Sequence, residues 1–272
     1  MSQSTQAELA FSAVTDPGIV RVHNEDSVAI SPAAGLAVLA DGMGGYNAGE
    51  VASGLATALL IRDLEQDLTR IAEDPDAMRI PLHQLIQGRI HQVNHAIFEA
   101  SHENAQLAGM GTTLVVAAML RDRLTVAHIG DSRAYRWRGG KLTQITRDHS
   151  LLQEQIDAGL LTAAEARYSQ NRNLVTRALG VDPVVSAEIA DFDTQVGDVY
   201  LLCSDGLTDM VPDEEIAAVL ASDRSLDGCA NELVQLANDH GGRDNVSVIL
   251  IRVDSHAARP KGLMSKVRDW LA

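Results

Sequence analysis

The sequence predicts a layered α+β domain, and three observations point to this class. The chain has 272 residues, 46% of them apolar, which is enough to bury a sizeable core. Apolar runs rich in β-branched residues follow one another through turns typical of hairpins. Long stretches of helical periodicity are inserted between these runs, without the regular strand–helix alternation of a parallel sheet.

Seven short apolar runs are predicted to be strands because they are rich in β-branched residues and bounded by turn residues. They cover residues 11–14, 36–40, 112–118, 124–129, 134–137, 199–202 and 246–253. Residues 121–123 separate two of these runs, and Gly139-Gly140 follows another, so both are predicted to be hairpin turns.

Apolar residues at three- and four-residue steps predict helices at residues 48–71, 81–105, 213–221 and 225–239. Residues 146–180 are polar and mostly helical in pattern, which predicts an insertion over one end of the sheet. Residues 260–272 are mildly basic and have an apolar helical face. We interpret this tail as a solvated or self-packed terminal helix in preference to an anchor on a partner or membrane.

Charge and composition exclude several classes of partner. The 22 Lys and Arg against 37 Asp and Glu give a net charge of −15, which repels nucleic acid and anionic lipid. The apolar runs are too short to span a bilayer, and the N-terminus lacks the pattern of a signal peptide. We therefore expect a cytoplasmic protein, with Cys203 and Cys229 as free core thiols.

Carboxylates recur where the predicted strands begin or end. Three strands run into an aspartate that is followed by glycine or serine, a fourth aspartate precedes the last strand, and two acids lie near the N-terminus. In chain order these acids are Glu25, Asp26, Asp41, Asp131, Asp205 and Asp244. A single Asp-Gly pair is typical of a turn, but the repetition favours acids that converge at one place.

Converging carboxylates repel one another and cannot all stay ionised unless cations lie among them. Oxygen ligands without His or Cys favour Mg²⁺ or Mn²⁺ over Zn²⁺, and Gly42 can expose its carbonyl as a further ligand. Two such ions about 3.5–4 Å apart can deliver a bridging water in line to phosphorus. Arg21, four residues before Glu25, is the candidate for holding the phosphate oxygens.

The sequence lacks the complete motifs of three other phosphate-binding or phosphatase sites. The glycine-rich stretch after Asp41 lacks the third glycine of a dinucleotide fingerprint, and that aspartate would lie beside the pyrophosphate. The chain contains no P-loop. Neither cysteine is followed by the arginine that a cysteine phosphatase needs six residues later.

Six short motifs occur together and carry a family resemblance. In order they are Arg21-x-x-Asn24-Glu25-Asp26, Asp41-Gly42-Met43-Gly44-Gly45, Gly111-Thr112-Thr113, Gly130-Asp131-Ser132-Arg133, Ser204-Asp205-Gly206 and Gly242-x-Asp244-Asn245-x-Ser247. Each motif is weak alone, but six in order are specific, and the resemblance they carry covers nearly the whole chain, from about Phe11 to Asp254. The sequence resembles a bacterial member of the metal-dependent serine/threonine protein phosphatases of type 2C.

The resemblance implies a four-layer α-β-β-α sandwich, with two central antiparallel β-sheets flanked by helices and a binuclear metal centre at one end. It implies a catalytic domain over residues 7–254, in which residues 146–180 correspond to the family's variable flap. Residues 255–272 are left as a C-terminal tail, which we predict to contain a short helix.

The resemblance also implies a set of metal ligands. Asp41 corresponds to the acid that bridges both ions, and Asp205 and Asp244 complete the first site. Glu25 and the carbonyl of Gly42 correspond to ligands of the second site. The implied cofactors are two Mn²⁺ or Mg²⁺ ions for each chain.

Three further positions match the pattern of the family, and one departs from it. Asp26 corresponds to a residue that orients metal-bound water, Asp131 to a ligand of a third ion that it shares with Asp205, and Arg21 to the phosphate-binding arginine. Met43 stands where animal members carry a histidine that protonates the leaving group, and a thioether donates no proton. His149 is a possible substitute, although a role in anchoring the flap is the preferred interpretation.

The implied activity is hydrolysis of phosphoserine and phosphothreonine in proteins, by direct attack of a metal-bridging hydroxide, with Arg21 and Asp41 as catalytic residues. The implied partners are phosphoprotein substrates, a cognate serine/threonine kinase among them, and we expect a monomer. The alternative is a phosphatase-like module that docks phosphoproteins with little turnover. All the acidic positions are filled, which favours the enzyme.

Overall fold

The fold is described here from a computed structural model, which covers residues 7–45, 47–74, 80–162, 165 and 174–255. The strands within this part of the chain are β1 (Glu8–Asp16), β2 (Asp26–Ser31), β3 (Leu36–Met43), β4 (Gly111–Thr112), β5 (Leu114–Leu120), β6 (Arg123–Ile129), β7 (Arg133–Arg138), β8 (Lys141–Gln144), β9 (Glu188–Asp193), β10 (Val199–Cys203) and β11 (Val246–Ser255). The helices are α1 (Ala48–Glu73), α2 (Leu82–Glu103), α3 (Leu151–Asp157), α4 (Asp205–Thr208), α5 (Asp213–Leu220) and α6 (Leu226–Asp239).

The strands form two antiparallel sheets. One has five strands in the order β1-β11-β10-β7-β8, and the other has the order β2-β3-β5-β6-β9 with β4 paired to β3. Neighbours in each sheet are joined partly by hairpins and partly through the long helices. The predicted α+β class with two antiparallel sheets is confirmed.

Strand β3 shows how the layers are stacked, because both of its faces are buried. Leu36, Val38 and Ala40 pack into a core with α1 and α2, whereas Ala37 and Leu39 face a second core shared with β10 and β11. Successive side chains of a strand point to opposite faces, so a strand between two apolar layers must be apolar throughout. This explains why residues 36–40 form an unbroken apolar run.

The outer face of the five-stranded sheet carries the fourth layer. Leu201 and Cys203 of β10, with Val248 and Leu250 of β11, pack against α5 and α6. The order of layers is therefore helices, sheet, sheet, helices, as the family resemblance implied. Cys203 and Cys229 are both buried free thiols in this outer core, as predicted.

The predicted turns and helices agree closely with the structure. Gly139 and Gly140 have φ values of 56° and 82° in the β7–β8 turn, the left-handed conformation that glycine adopts without strain. The β5–β6 hairpin turns at Arg121, which has a φ of 61°. Helix α1 begins at the predicted residue and ends two residues beyond the predicted one.

Several elements were not predicted. Strands β2, β8 and β9 are largely half-buried edge strands, and their short mixed sequences give little signal. The predicted strand at 112–118 is two strands, because at Thr113 the amide of Asp41 donates to the side-chain Oγ1 at 3.0 Å and not to the backbone carbonyl.

The C-terminal tail predicted over residues 255–272 lies outside the described residues, except for Ser255 at the end of β11. Among the described helices, none has the length and apolar character needed to cross a membrane. The predicted insertion at residues 146–180 is described in part and includes α3 and two bridges, which join Ser150 to Val175 and Leu179 to Thr112.

Candidate metal centre and phosphate site

Asp41 lies near the end of β3, directly opposite Asp26 of β2. Its backbone is held from the other side, because its amide donates to Thr113 Oγ1 at 3.0 Å and its carbonyl accepts from Thr112 Oγ1 at 2.9 Å. With the backbone groups satisfied in this way, the strand end has a defined position. The Gly111-Thr112-Thr113 motif therefore supports the acid that precedes Gly42.

Asp26 joins the two sheets at this end of the sandwich. Its Oδ2 accepts a hydrogen bond of 2.8 Å from Ser204 Oγ, which in turn accepts from the amide of Ser247 at 3.0 Å. The other oxygen, Oδ1, is buried and has no hydrogen-bond partner within the described protein. A buried carboxylate oxygen that lacks a partner has capacity for a water or a cation.

Glycines make room for Glu25. A Cβ on Gly42 would lie 2.6 Å from the carbonyl oxygen of Glu25, and a Cβ on Gly49 would lie 2.9 Å from its side-chain Cδ. The amide of Gly42 donates to that same carbonyl at 3.0 Å. The start of α1 thus approaches the end of β3 so closely that side chains are excluded and the Glu25 carboxylate occupies the space.

Asp244 precedes β11 and pairs with Arg21. Arg21 Nη2 donates to Asp244 Oδ2 at 2.7 Å, with side-chain exposures of 52% and 30%. This hydrogen bond, together with the charges of Asp244, Glu25 and Asp205, raises the pKa of Arg21 against the opposing effect of burial. The guanidinium is therefore always charged and stands at the open edge of the acidic group.

Asn245 was quoted in a motif but was not predicted as a site residue. Its Oδ1 accepts from the amide of Glu25 at 2.8 Å, and its Nδ2 donates to the carbonyls of Pro17 at 3.0 Å and His23 at 2.8 Å. One side chain thus holds both ends of the loop that carries Arg21. Its position directly after an acid at the start of a strand was the signal that could have identified it.

The pKa values of Asp41 and Asp205 lie well above the ordinary aspartate value. Burial is the main cause for both. The next largest contributions are the charge of Asp26 for Asp41 and the charge of Asp131 for Asp205. Asp244 acts on both carboxyls, so acids from distant parts of the chain share one electrostatic environment.

Burial also raises the pKa values of Asp26 and Asp131, in each case to about 6. The charge of Asp148 contributes at Asp131, and that of Asp244 at Asp26. Asp209, which sequence reasoning did not select, raises the pKa of Asp131 and of Asp205. It follows Asp205 by four residues in the chain and donates its amide to the Asp205 carbonyl at 2.7 Å, a helical spacing that could have identified it.

This donor set fits hard divalent cations. The acids repel one another, and one buried carboxylate oxygen lacks a hydrogen-bond partner. Of the residues that the structure describes, His128, His149 and Glu188 form a tighter group, with ligand atoms all within 4.8 Å. The acids around Asp41 form no group of that spacing.

His149 lies in that second group and is 7% exposed. Its amide donates to the Gly130 carbonyl at 2.9 Å, while its Nδ1 accepts from the Gly130 amide at 3.2 Å. Its own carbonyl accepts from the amide of Thr176 at 2.8 Å, and its ring stacks on His128 with centroids 4.8 Å apart. These contacts tie both ends of the 146–180 segment to the strand end that precedes Asp131, which agrees with the anchoring interpretation.

Comparison with known proteins identifies the family. Residues 21–249 match the family model described as Protein phosphatase 2C. The chain belongs to this family. The resemblance drawn from the six motifs is therefore confirmed.

Relatives match over almost the full chain. The chain is 36% identical over 258 residues to "Serine/threonine phosphatase stp" of Listeria welshimeri. This alignment covers 94% of this chain and 97% of that protein. The crystal structure of the Mycobacterium tuberculosis serine/threonine phosphatase PstP/Ppp matches with a TM-score of 0.80 and 39% identity, covering 90% and 99% of the two chains. A PstP catalytic domain in complex with 2 manganese ions matches with a TM-score of 0.75 and 38% identity, covering 90% and 97%.

Proposed function

We propose that this protein is a serine/threonine phosphatase that hydrolyses phosphoserine and phosphothreonine in proteins at a binuclear metal centre. The observation that carries the proposal is the shared environment of Asp26, Asp41 and Asp205, whose pKa values are raised by burial and by the charges of neighbouring acids, beside an always-charged Arg21. Mutually repelling acids support cation binding, and the arginine supports phosphate binding. The names of the relatives point to the same activity.

The proposed ligands follow the family pattern. Asp41 would serve as a ligand to both ions, Asp205 and Asp244 would complete the ligands of one, and Glu25 with the Gly42 carbonyl would hold the other. When bound, two Mn²⁺ or Mg²⁺ ions polarise the phosphate and lower the pKa of a water held in line with phosphorus. A third ion is proposed between Asp131 and Asp205, and the manganese-bound relative supports Mn²⁺ as the metal.

Three side chains of the protein carry the other proposed roles. Arg21 binds phosphate oxygens in the ground state and in the transition state, since it is charged throughout and half exposed. Asp26, with one oxygen held by Ser204 and the other free, accepts a hydrogen bond from the attacking water. Asp41 holds the centre of the site, on a backbone clamped by Thr112 and Thr113.

The leaving-group oxygen needs a proton that Met43 does not supply. His149 is buried, and its Nδ1 is engaged by Gly130. We therefore assign His149 to anchoring of the flap and assign protonation of the leaving group to water. We propose a catalytic domain over residues 7–254, with residues 146–180 as the flap.

A hydrolysis assay tests this function. Mn²⁺ should support turnover of a phosphothreonine peptide and of p-nitrophenyl phosphate, and excess chelator should abolish both. Binding of the phosphopeptide without turnover at any Mn²⁺ concentration would favour the docking module instead. Turnover that persists in chelator would contradict the metal mechanism.

The cellular partners are proposed to be phosphoproteins made by a cytoplasmic serine/threonine kinase, the kinase itself among them, with the phosphatase acting as a monomer. An Asp205→Asn variant should retain substrates long enough to capture them, because it removes a metal ligand but leaves Arg21 in place. Mass spectrometry of captured proteins, compared with an Arg21→Ala/Asp205→Asn double variant, identifies those held through the phosphate.

A further inference from the structure

Three large apolar side chains surround Arg21 on the loop between β1 and β2. Ile19 is 67% exposed, Val20 64% and Val22 87%. No other four consecutive residues of the described chain include three exposed large aliphatic side chains. A soluble protein rarely exposes such a group together unless the surface binds something.

The loop is held in place, so this exposure is built into the fold. The amides of Ile19 and Val20 donate to the Gly242 carbonyl at 2.8 and 3.0 Å. Gly18 has a φ of 78°, and a Cβ there would lie 2.9 Å from that same carbonyl oxygen. Asn245 holds the two ends of the loop through the carbonyls of Pro17 and His23.

The loop is also joined directly to the proposed phosphate site. Arg21 bonds Asp244 at 2.7 Å, and the loop backbone rests on the segment that leads into that acid. The Cα atoms of Val20 and Val22 are each about 3.8 Å from that of Arg21, and an extended peptide advances about 3.3–3.6 Å per residue. When a phosphate is bound by Arg21, the residues on either side of the phosphorylated residue are therefore within reach of this surface.

We propose that Ile19, Val20 and Val22 form a docking surface for apolar side chains that flank the phosphorylated residue of a substrate protein. This inference rests on the proposed phosphatase function and specifies its substrate class. Charge excludes one alternative: the chain carries a net −15 and the acids of the centre lie beside the loop, so acidic flanking residues are repelled. Apolar side chains at the flanking positions of the substrate then strengthen binding, because they bury apolar area against this docking surface.

Paired phosphothreonine peptides test the proposal. One peptide carries leucine on both sides of the phosphothreonine and the other carries asparagine, and kcat/KM is measured for both in Mn²⁺. The unmodified chain should prefer the leucine peptide by about tenfold, since each partly buried aliphatic side chain adds a few-fold. In a Val20→Ser/Val22→Ser variant this ratio should fall to about one to twofold.

Val196→Ser is the matched control. Val196 is 59% exposed in the turn before β10, at the end of that strand remote from Asp205, so its substitution should leave the peptide ratio unchanged. The isosteric Val20→Thr/Val22→Thr variant should lower the ratio as well, and circular dichroism checks that each variant is folded. Equal rates for both peptides in the unmodified chain, or a ratio that survives both double variants, would overturn the proposal. If neither peptide is hydrolysed by the unmodified chain in Mn²⁺, it is the phosphatase function that fails.

Discussion

The guanidinium of Arg21 lies 2.7 Å from the carboxylate of Asp244, although the two residues are 223 positions apart in the chain. Both side chains are partly exposed, so the ion pair adds little to folding stability. Its consequence is positional, because it places the one charged donor of the loop at the edge of the acidic centre. The family resemblance assigned these residues to phosphate and metal, and the structure brings them into contact.

Arg21→Ala should mainly raise KM, by about tenfold or more, and change kcat by less than about threefold. The arginine binds phosphate in the ground state and in the transition state alike, and loss of such uniform binding appears in KM. Steady-state kinetics on a phosphothreonine peptide measure both constants, with Arg224→Ala, an exposed arginine on the far helical layer, as the control. A large fall in kcat at unchanged KM would show that Arg21 acts only on the transition state.

Asp205→Asn and Asp244→Asn should each lower kcat by more than about 100-fold while the chain stays folded, because each removes a negatively charged oxygen ligand. The exposed Asp223→Asn variant should retain full activity. Mn²⁺ should raise the thermal midpoint of the unmodified chain, since the ion binds only the folded state, and raise it less in both ligand variants. Near-normal turnover in either variant would refute the assignment.

The pKa of Asp131 predicts how stability depends on pH in the metal-free chain. Burial raises this pKa from 3.8 to about 6, so the folded chain holds a proton that the unfolded chain has lost between these values. The contribution of Asp131 to stability is therefore complete below about pH 4 and is lost as the pH rises through about 6.

Asp131→Asn does not titrate, so its stability relative to the unmodified chain should increase from pH 4 to pH 7 by on the order of 3 kcal/mol. Urea unfolding of both chains in chelator, at a series of pH values from 4 to 7, measures the difference. A difference that is constant across this range would show that Asp131 is not held in a protonation-favouring environment.

Gly49→Ala should damage the second metal site without unfolding the chain. Its Cβ would lie 2.9 Å from both Glu25 Cδ and the carbonyl carbon of Gly42, so the Glu25 carboxylate and the Gly42 backbone, two proposed ligand groups, both have to move. We expect the Mn²⁺ concentration for half-maximal activity to rise by about tenfold or more, as for other changes that displace a ligand.

Gly54→Ala provides the matched control in the same helix. A Cβ on Gly54 would have nothing within 4 Å, so this variant should keep its Mn²⁺ dependence and gain about 1 kcal/mol of stability from helix propensity. An unchanged Mn²⁺ requirement in Gly49→Ala would argue against Glu25 as a ligand.

The acids of the candidate site could be selected from the sequence because they border apolar runs. Asp41, Asp131 and Asp205 each end such a run, and β3 and β6, which are both antiparallel to β5, run toward the same edge of their sheet. Supporting groups were harder to find. Asn245 and Ser204 act through hydrogen bonds to Glu25 and Asp26, and nothing in their local sequence specifies those partners.

The strand and helix periodicities, the order of the motifs and hence the family follow from the amino-acid sequence alone, because they depend on residue type and spacing along one stretch of chain. The folded structure was needed to show that Asp26 stands opposite Asp41, that Arg21 contacts Asp244, and that His149 is buried against Gly130. It also showed that three aliphatic side chains around Arg21 stay exposed. These contacts join residues from separate parts of the chain, and the exposure of a side chain depends on what packs against it. Both are results of the packing of the two sheets.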